Sequence, residues 1–462
     1  MDPSRVYWQR ARPPPRPALT GTYACDVAVI GGGMAGLEAA KLLVEAGKRV
    51  ALLEADVCGG AATGCSSGFM TADSELQVAQ LLRRFGEYTT RALYEAVHAV
   101  TTALRDEIER DAIACDLIEA DCLFVARDPR SYDDIVEEHR ARWRLGMESS
   151  LLVGDELHAS LGPTSRYFAG VRYSDTYALD AFAFAQARAK NLEAKGLRIF
   201  EATRVVAIEP GVVRSEGGEV RCDKVVVATD RFTPELGIER PDVYAVQTVL
   251  ALSKPMPKER LDALFPTGPL MVWDSELDYR YFRPTPEGRL LFGGNQLRRV
   301  YLSSTDESEP VVPKLLDDVR KHLPGLGEVE IEWHWPGYLG VSRDLLPIAG
   351  RLDDWRAVAI CGTGIPWSAF GGQIAARAVL GESEPLDTLF HPHRTFTELE
   401  LFQPVLSKPL TFALSHLHAK RWLTGTSEEV KFRKQVLGVT VAAAVVGGVL
   451  WWLLRDDDEK KD

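Results

Sequence analysis

The stretch Asp26-Val-Ala-Val-Ile-Gly-Gly-Gly-Met-Ala-Gly-Leu-Glu-Ala-Ala40 decides how the rest of the chain is read. Four branched or small apolar residues form a buried strand, three glycines make a turn, and a helix is expected over Leu37–Glu45, ending at Ala46-Gly47. The spacing Gly31-x-Gly33-x-x-Gly36 therefore falls between a strand and a helix, the context in which it signifies a dinucleotide. Gly31 permits the tight turn, Gly33 lets a pyrophosphate approach the backbone, and Gly36 lets helix and strand pack closely. The helix N-terminus, with Met34 and Ala35, then offers free N–H groups to the phosphates. A second strand, Arg49-Val-Ala-Leu-Leu-Glu54, ends in an acid about 20 residues on, suited to a ribose diol. Against a glycine-rich turn in an ordinary α/β protein, the complete strand-turn-helix-strand-Glu unit favours a dinucleotide.

At 462 residues the chain is long for one domain, and two interleaved domains are expected. The formal net charge of -12, with no long basic stretch, argues against nucleic acid as a partner. The seven cysteines are scattered and form no C-x-x-C pair, which fits a reduced compartment rather than a disulfide framework or a zinc site. His391-Pro-His393 and His416-Leu-His418 have no cysteine or acid cluster beside them, so they read as surface polar residues and no metal is expected. No apolar core of a signal peptide follows the N-terminus. At the other end, Val436–Leu454 carries no charge, has Trp451 and Trp452 near its end, and would span roughly 28 Å as a helix. A single-pass membrane anchor is expected there. Lys420, Arg421, Lys431, Arg433 and Lys434 before it outnumber the basic residues after it, which places the large domain on the cytoplasmic side.

Between these ends, residues 1–22 form a proline-rich lead-in that can cross the surface but not form a helix. Residues 58–70 are a loop of small residues, read either as a ligand contact or as a flexible linker. Covering helices are expected over 76–112 and 131–146, a strand over Asp121–Ala126, and a further helix over Ala181–Gly196. The run Val225-Val-Val-Ala-Thr-Asp230 has the uniform apolarity of a parallel-sheet strand and should return beside the nucleotide, bringing Thr229 with it. From Tyr244 to Trp335 the pattern alternates, as in a mixed or antiparallel sheet. Gly362-Thr-Gly364 leads into a helix expected from Ser368 through Leu380, a second N-terminus able to meet a polar ligand. Leu410–Leu423 is amphipathic enough to lie against a membrane surface.

In order, the Gly31-x-Gly33-x-x-Gly36 unit with Glu54, the Val225–Asp230 strand and the Ala359-Ile-Cys-Gly-Thr-Gly364 turn resemble the flavin-dependent oxidases of the D-amino-acid oxidase superfamily. Tyr7-Trp8, Ala62-Thr-Gly-Cys-Ser-Ser-Gly68, Tyr281-Phe-Arg-Pro284 and Leu389-Phe-His-Pro-His-Arg-Thr-Phe396 look most like its gamma-glutamylputrescine oxidase branch. Cys65-Ser66-Ser67 and Ile365-Pro366-Trp367 depart from that branch. The resemblance implies an α/β fold in which a Rossmann-type FAD-binding domain is interleaved with a mixed or antiparallel-sheet substrate domain. Residues 23–75, 181–240 and 340–385 would make the first and 76–180 with 241–339 the second. Residues 386–435 would wrap back to the anchor at 436–454, and 455–462 would be a charged tail.

The resemblance further implies that Gly31, Gly33, Met34, Ala35, Gly36, Glu54 and Thr229 bind FAD, with the Val205 backbone at the adenine. Ala62, Thr63, Ser66, Ser67, Gly362, Thr363 and Gly364 would border the flavin and its ribityl chain. The implied reaction is oxidation of the C–N bond of an amine or amino acid by hydride transfer to the flavin, a reaction that requires the uncharged amine. Tyr279, Tyr281 and Trp335 are candidate pocket walls, each with ordinary core as the alternative. Arg280, Arg283 and Arg343 are candidates to pair with a substrate carboxylate, each with a structural ion pair as the alternative. A single Gly-x-Gly-x-x-Gly leaves no evident second dinucleotide site, so reoxidation by oxygen or another acceptor is expected. The rival readings are a membrane-anchored dehydrogenase that reduces a quinone and a non-catalytic FAD-binding sensor or scaffold.

Overall fold

The strand Val27–Ile30 is buried along its whole length, and its uniform Val-Ala-Val-Ile composition follows from apolar packing on both faces. In the computed structural model, which describes residues 5–238, 242–276, 279–295, 311–360 and 362–396, this strand lies inside a six-stranded sheet. The spatial order is Arg198–Phe200, Val50–Leu53, Val27–Ile30, Lys224–Val227, Arg356–Ile360 and Ile348–Arg351. All neighbours run parallel except the last pair, which is antiparallel. The expected return of Val225–Val227 beside the first strand is met, with Val227 level with both Ile30 and Val358. The helices Met34–Glu45, Ala181–Ala194 and Ile365–Leu380 contribute Leu37, Leu43, Ala185, Ala189 and Ala375 to one face of this sheet. On the other face Ala28, Ile30, Leu53 and Val225 pack with Val205, Val213 and Val220 of a four-stranded sheet.

An eight-stranded sheet makes up the second body of structure, in the order Ile331–Ser342, Val243–Ser253, Leu290–Asn295, Arg280–Pro284, Leu270–Asp274, Asp121–Ala126, Ala169–Tyr173 and Ser150–Val153. It is mixed, as the alternation suggested: only Leu270–Asp274 and Asp121–Ala126 run parallel, and every other pairing is antiparallel. The two sheets draw strands alternately from the chain, so the polypeptide passes between them repeatedly.

Four local expectations need correction. The first helix begins at Met34, three residues early, because Gly33 in an extended conformation serves as its N-cap. The last begins at Ile365 rather than Ser368, since Pro366 in the first turn lacks only an N–H that has no intrahelical partner there. The covering helix Val78–Arg110 is broken at Gly86, whose φ of 74° no helical residue adopts. The proline-rich lead-in also departs from a surface crossing: Tyr7–Gln9 forms a short 3-10 turn and is buried, packed with Phe182, Leu250 and Trp335. Among the described residues no helix is long and apolar enough to cross a membrane, and the expected anchor at 436–454 lies outside them, as does the amphipathic segment 410–423.

Candidate FAD and substrate site

The parallel strands ending at Ile30, Val227 and Ile360 bring Gly31, Thr229 and Gly362 to one edge of the sheet, where the strand order reverses about Val27–Ile30. Crevices outside such edges are where open α/β sheets bind ligands. Gly31 has a φ of 105°, and a side chain there would collide with the Ala228 carbonyl. A Cβ on Gly36 would collide in turn with the Gly31 carbonyl, so the helix Met34–Glu45 can start only where glycine allows it. No side chain caps that helix through Gly33. The Met34 N–H instead donates to Thr63 Oγ1 at 3.2 Å. Ala35 presents its carbonyl to Gly372 of the helix Ile365–Leu380, where a Cβ would not fit.

Glu54 accepts from the Gly32 N–H at 2.6 Å and the Asp56 N–H at 2.8 Å, which aims the carboxylate at the glycine turn. Burial raises its carboxyl above the ordinary range, opposed by those two hydrogen bonds. A carboxylate has about four acceptor positions, so a diol can still be bound. The Glu54 carbonyl accepts from Thr203 N–H, and Val205, two residues on, packs with Leu53 and Ile30. Thr229 lies against Gly31, its hydroxyl paired with that of Thr233 at 3.1 Å. Gly364 precedes the last helix without a side-chain cap, and the buried Thr363 hydroxyl beside it has no protein partner. Two helix starts whose N-cap residues are glycines without a capping side chain, a glycine cradle with no room for side chains and an orphaned hydroxyl fit a phosphate-bearing dinucleotide such as FAD.

Residues 58–68 are not a flexible linker. Trp8 Nε1 donates to the Ser66 carbonyl, Gln9 Nε2 to Gly60 and Trp335 Nε1 to Cys65, each at 3.0 Å. Arg283 donates to the carbonyls of Ser67 at 2.7 Å, Leu179 at 3.2 Å and Pro284 at 3.3 Å. Ala62 and Thr63 enter a 3-10 turn over Thr63–Cys65, and Ser66 turns its hydroxyl inward to the Thr63 carbonyl at 2.8 Å. Arg283 is thus a core side chain that holds the loop; burial lowers its pKa to about 10, and it is not placed to receive a substrate carboxylate. Arg280 is paired with Asp318 at 2.9 Å. Trp335, expected as a pocket wall, is fully buried and supports the loop through its indole N–H.

After the loop comes Phe69, half-buried, 5.9 Å from the Tyr281 ring and 6.1 Å from Trp273. Tyr279, just before the strand Arg280–Pro284, and Tyr281 within it have rings 5.9 Å apart. Tyr281 lies over Gly293, where a side chain would strike its ring, and its hydroxyl meets Thr248 Oγ1 at 3.2 Å. The Tyr279 hydroxyl donates to Glu75 Oε1 at 3.2 Å. Arg343 is not part of this group: Thr248 pairs with Gly337, six residues before it, roughly 20 Å along an extended strand. Its N–H donates to the Asp242 carbonyl.

Sequence reasoning missed Gln9, Glu75 and Thr248, and held Phe69 only as part of the loop 58–70. Glu75 sits in an irregular segment with no periodic signal. Trp8 and Arg283 were noticed without their roles, because their partners are backbone carbonyls 58 and 216 residues away.

Comparison with known proteins agrees with this geometry. Over 395 residues, 83% of this chain and 90% of the relative, the sequence is 28% identical to gamma-glutamylputrescine oxidoreductase of Escherichia coli (strain K12). It is 25% identical over 348 residues to glycine oxidase of Geobacillus kaustophilus, covering 73% of this chain and 87% of the relative. Among solved structures, glycine oxidase from Geobacillus kaustophilus superposes with a TM-score of 0.69 at 22% identity, covering 81% of this chain and 100% of that one. L-proline dehydrogenase from P. horikoshii superposes at 0.67 and 17% identity, with 81% and 98% covered. The model of the DAO family, FAD dependent oxidoreductase, matches residues 26–378, from the first strand of the glycine unit almost to the end of the last helix. With its cradle, acid and second glycine turn inside that span, the chain belongs to the DAO family of FAD-dependent oxidoreductases.

Proposed function

We propose that the chain oxidises the C–N bond of an amine and passes the electrons to oxygen. The observation that carries this reading is the half-buried group of Phe69, Tyr279 and Tyr281, which stands directly beyond the loop 58–68. FAD, when bound, accepts the hydride that leaves the carbon next to a neutral amine nitrogen, and water then hydrolyses the imine to a carbonyl compound and a free amine. The aromatic walls exclude water from the reacting end of the substrate. Thr248 and Gly293 fix the Tyr281 ring in place, and Arg283, Trp8 and Trp335 fix the loop opposite.

Relatives whose names carry gamma-glutamylputrescine and glycine support C–N oxidation in general. Arg280 and Arg283 are already engaged with Asp318 and backbone carbonyls, which favours an amine over an amino acid here. The single dinucleotide motif argues against a nicotinamide as acceptor, and oxygen is the simplest acceptor that needs no further site. The uncharged Val436–Leu454 favours a second reading, an anchored dehydrogenase with its catalytic part on the cytoplasmic side that reduces a quinone.

Visible spectra of the purified FAD-loaded protein without oxygen, before and after primary amines, secondary amines and amino acids, test the proposal. Bleaching by amines is the expected result; full FAD occupancy with no bleaching by any of them would reject it and favour a sensor or scaffold. Rapid turnover with a quinone analogue and slow oxygen uptake would select the second reading. Sedimentation of the full chain with membranes, lost on truncation after Gln435, tests the anchor.

A further inference from the structure

We propose that Glu75 recognises a second, non-reacting cationic nitrogen, so that the preferred substrate is a diamine or longer polyamine. The inference rests on amine oxidation at this site and adds the class of amine. Glu75 is half-buried, and its hydrogen bond comes from the neutral Tyr279 hydroxyl at 3.2 Å; among the described residues no cationic side chain pairs with it. A carboxylate withdrawn from water and met by a single phenol is poorly compensated. Burial accordingly pushes its carboxyl above the ordinary range, eased only by that tyrosine. The complement it lacks is a cation that donates hydrogen bonds.

The surroundings suit an ammonium group. Tyr279 and Tyr281, with centroids 5.9 Å apart, and Phe69, 5.9 Å from Tyr281, provide the aromatic faces that attract a cation. The carboxylate beside them adds a charge-assisted hydrogen bond. Nor is this nitrogen the one oxidised. A nearby carboxylate stabilises the protonated amine, and the protonated amine has no lone pair with which to expel a hydride. Glu75 therefore holds one end of the substrate charged while the other end reacts as the neutral amine. A carboxylate-bearing end would meet like charge at the same place.

The test uses the full-length FAD-loaded protein. Anaerobic flavin bleaching is titrated with hexane-1,6-diamine and with hexylamine, in the natural protein and in Glu75→Gln, and binding of guanidinium, an N–H donor with no oxidisable C–H bond, is followed by calorimetry in both. The expected result is a preference of about tenfold or more for the diamine, seen in the half-saturating concentration, that collapses toward one in Glu75→Gln. Guanidinium binding should weaken about tenfold in parallel. No diamine preference in the natural protein, or a preference that survives Glu75→Gln, overturns the proposal. If Glu75→Gln does not fold, the comparison of the two amines in the natural protein decides alone. Should no amine bleach the flavin, amine oxidation itself fails, and the calorimetric arm still judges Glu75: Glu75-dependent binding of the cation supports the site, and no binding overturns it.

Discussion

Arg283 is fully charged in water, yet here it is buried, with its guanidinium spread over the carbonyls of Ser67, Leu179 and Pro284. A planar fork of donors can serve three backbone acceptors at once; a lysine ammonium on a flexible stem cannot match that geometry. Arg283→Lys should therefore lower the thermal midpoint by several degrees and release FAD during purification, measured by differential scanning fluorimetry and by the ratio of flavin to protein absorbance. Each buried carbonyl left without a donor costs about 1–3 kcal/mol, so Arg283→Met should be worse. Glu54 is the second residue whose role is local and testable. Its carboxylate receives two backbone N–H groups, and Glu54→Ala removes both bonds together with the acceptor proposed for the ribose. FAD dissociation, followed by the rise in free-flavin fluorescence, should shift about 10- to 100-fold toward weaker binding, the size expected for one or two hydrogen bonds to a charged acceptor.

Among the elements, the N-terminal lead-in has the least regular structure and a large effect on the site. Tyr7–Gln9 is buried, with Tyr7 and Trp8 packed against Phe182 and Trp335, and Trp8 and Gln9 donate to the loop 58–68. Farther along, Arg12 pairs with Asp56, and Arg16 pairs with Glu193 and Glu201. Glu201 itself accepts from the Cys58 N–H at 2.7 Å, so both ends of the loop are tied to the lead-in. Trp8→Phe keeps the ring packing and removes one hydrogen bond worth about 1 kcal/mol. Hydrogen exchange at 60–68 should accelerate while exchange in Val27–Ile30 stays unchanged. Equal acceleration in both places would mean that the lead-in stabilises the fold generally and has no selective hold on the loop.

For the whole molecule, two buried carboxyls predict how stability varies with pH. Burial raises Asp274 to about 7, despite Arg127 and two backbone N–H groups, and raises Asp180, which caps the helix Ala181–Ala194, to about 6. An unfolded aspartate titrates near 3.9. The folded state thus holds more protons than the unfolded state between roughly pH 4 and 7, and stability from these groups falls as pH rises through that window. Thermal unfolding of the natural protein and of Asp274→Asn, compared from pH 4 to pH 8, should show a shallower decline in the variant. A steeper decline would mean that the Arg127 pairing outweighs burial.

The strand-turn-helix-strand unit around Gly31, Gly33, Gly36 and Glu54 was legible in the sequence because each of its interactions is local. A glycine must stand where a neighbouring carbonyl leaves no room for Cβ, and the acid follows at the end of the next strand. The uniform apolarity of Val225–Val227 likewise disclosed a central parallel strand, and the alternation after Tyr244 disclosed a mixed sheet. Which side chains would face substrate was a different matter. Trp335, Arg283 and Arg343 had the right chemistry for a pocket, but only folding committed the first two to carbonyls and placed the third far along a strand. Glu75 was silent for the same reason: its meaning comes from Tyr279, 204 residues away. Periodicity and spacing report what a residue does to its chain neighbours. Burial, together with the partner that burial selects, is decided by contacts between distant segments, and only the tertiary structure brings those together.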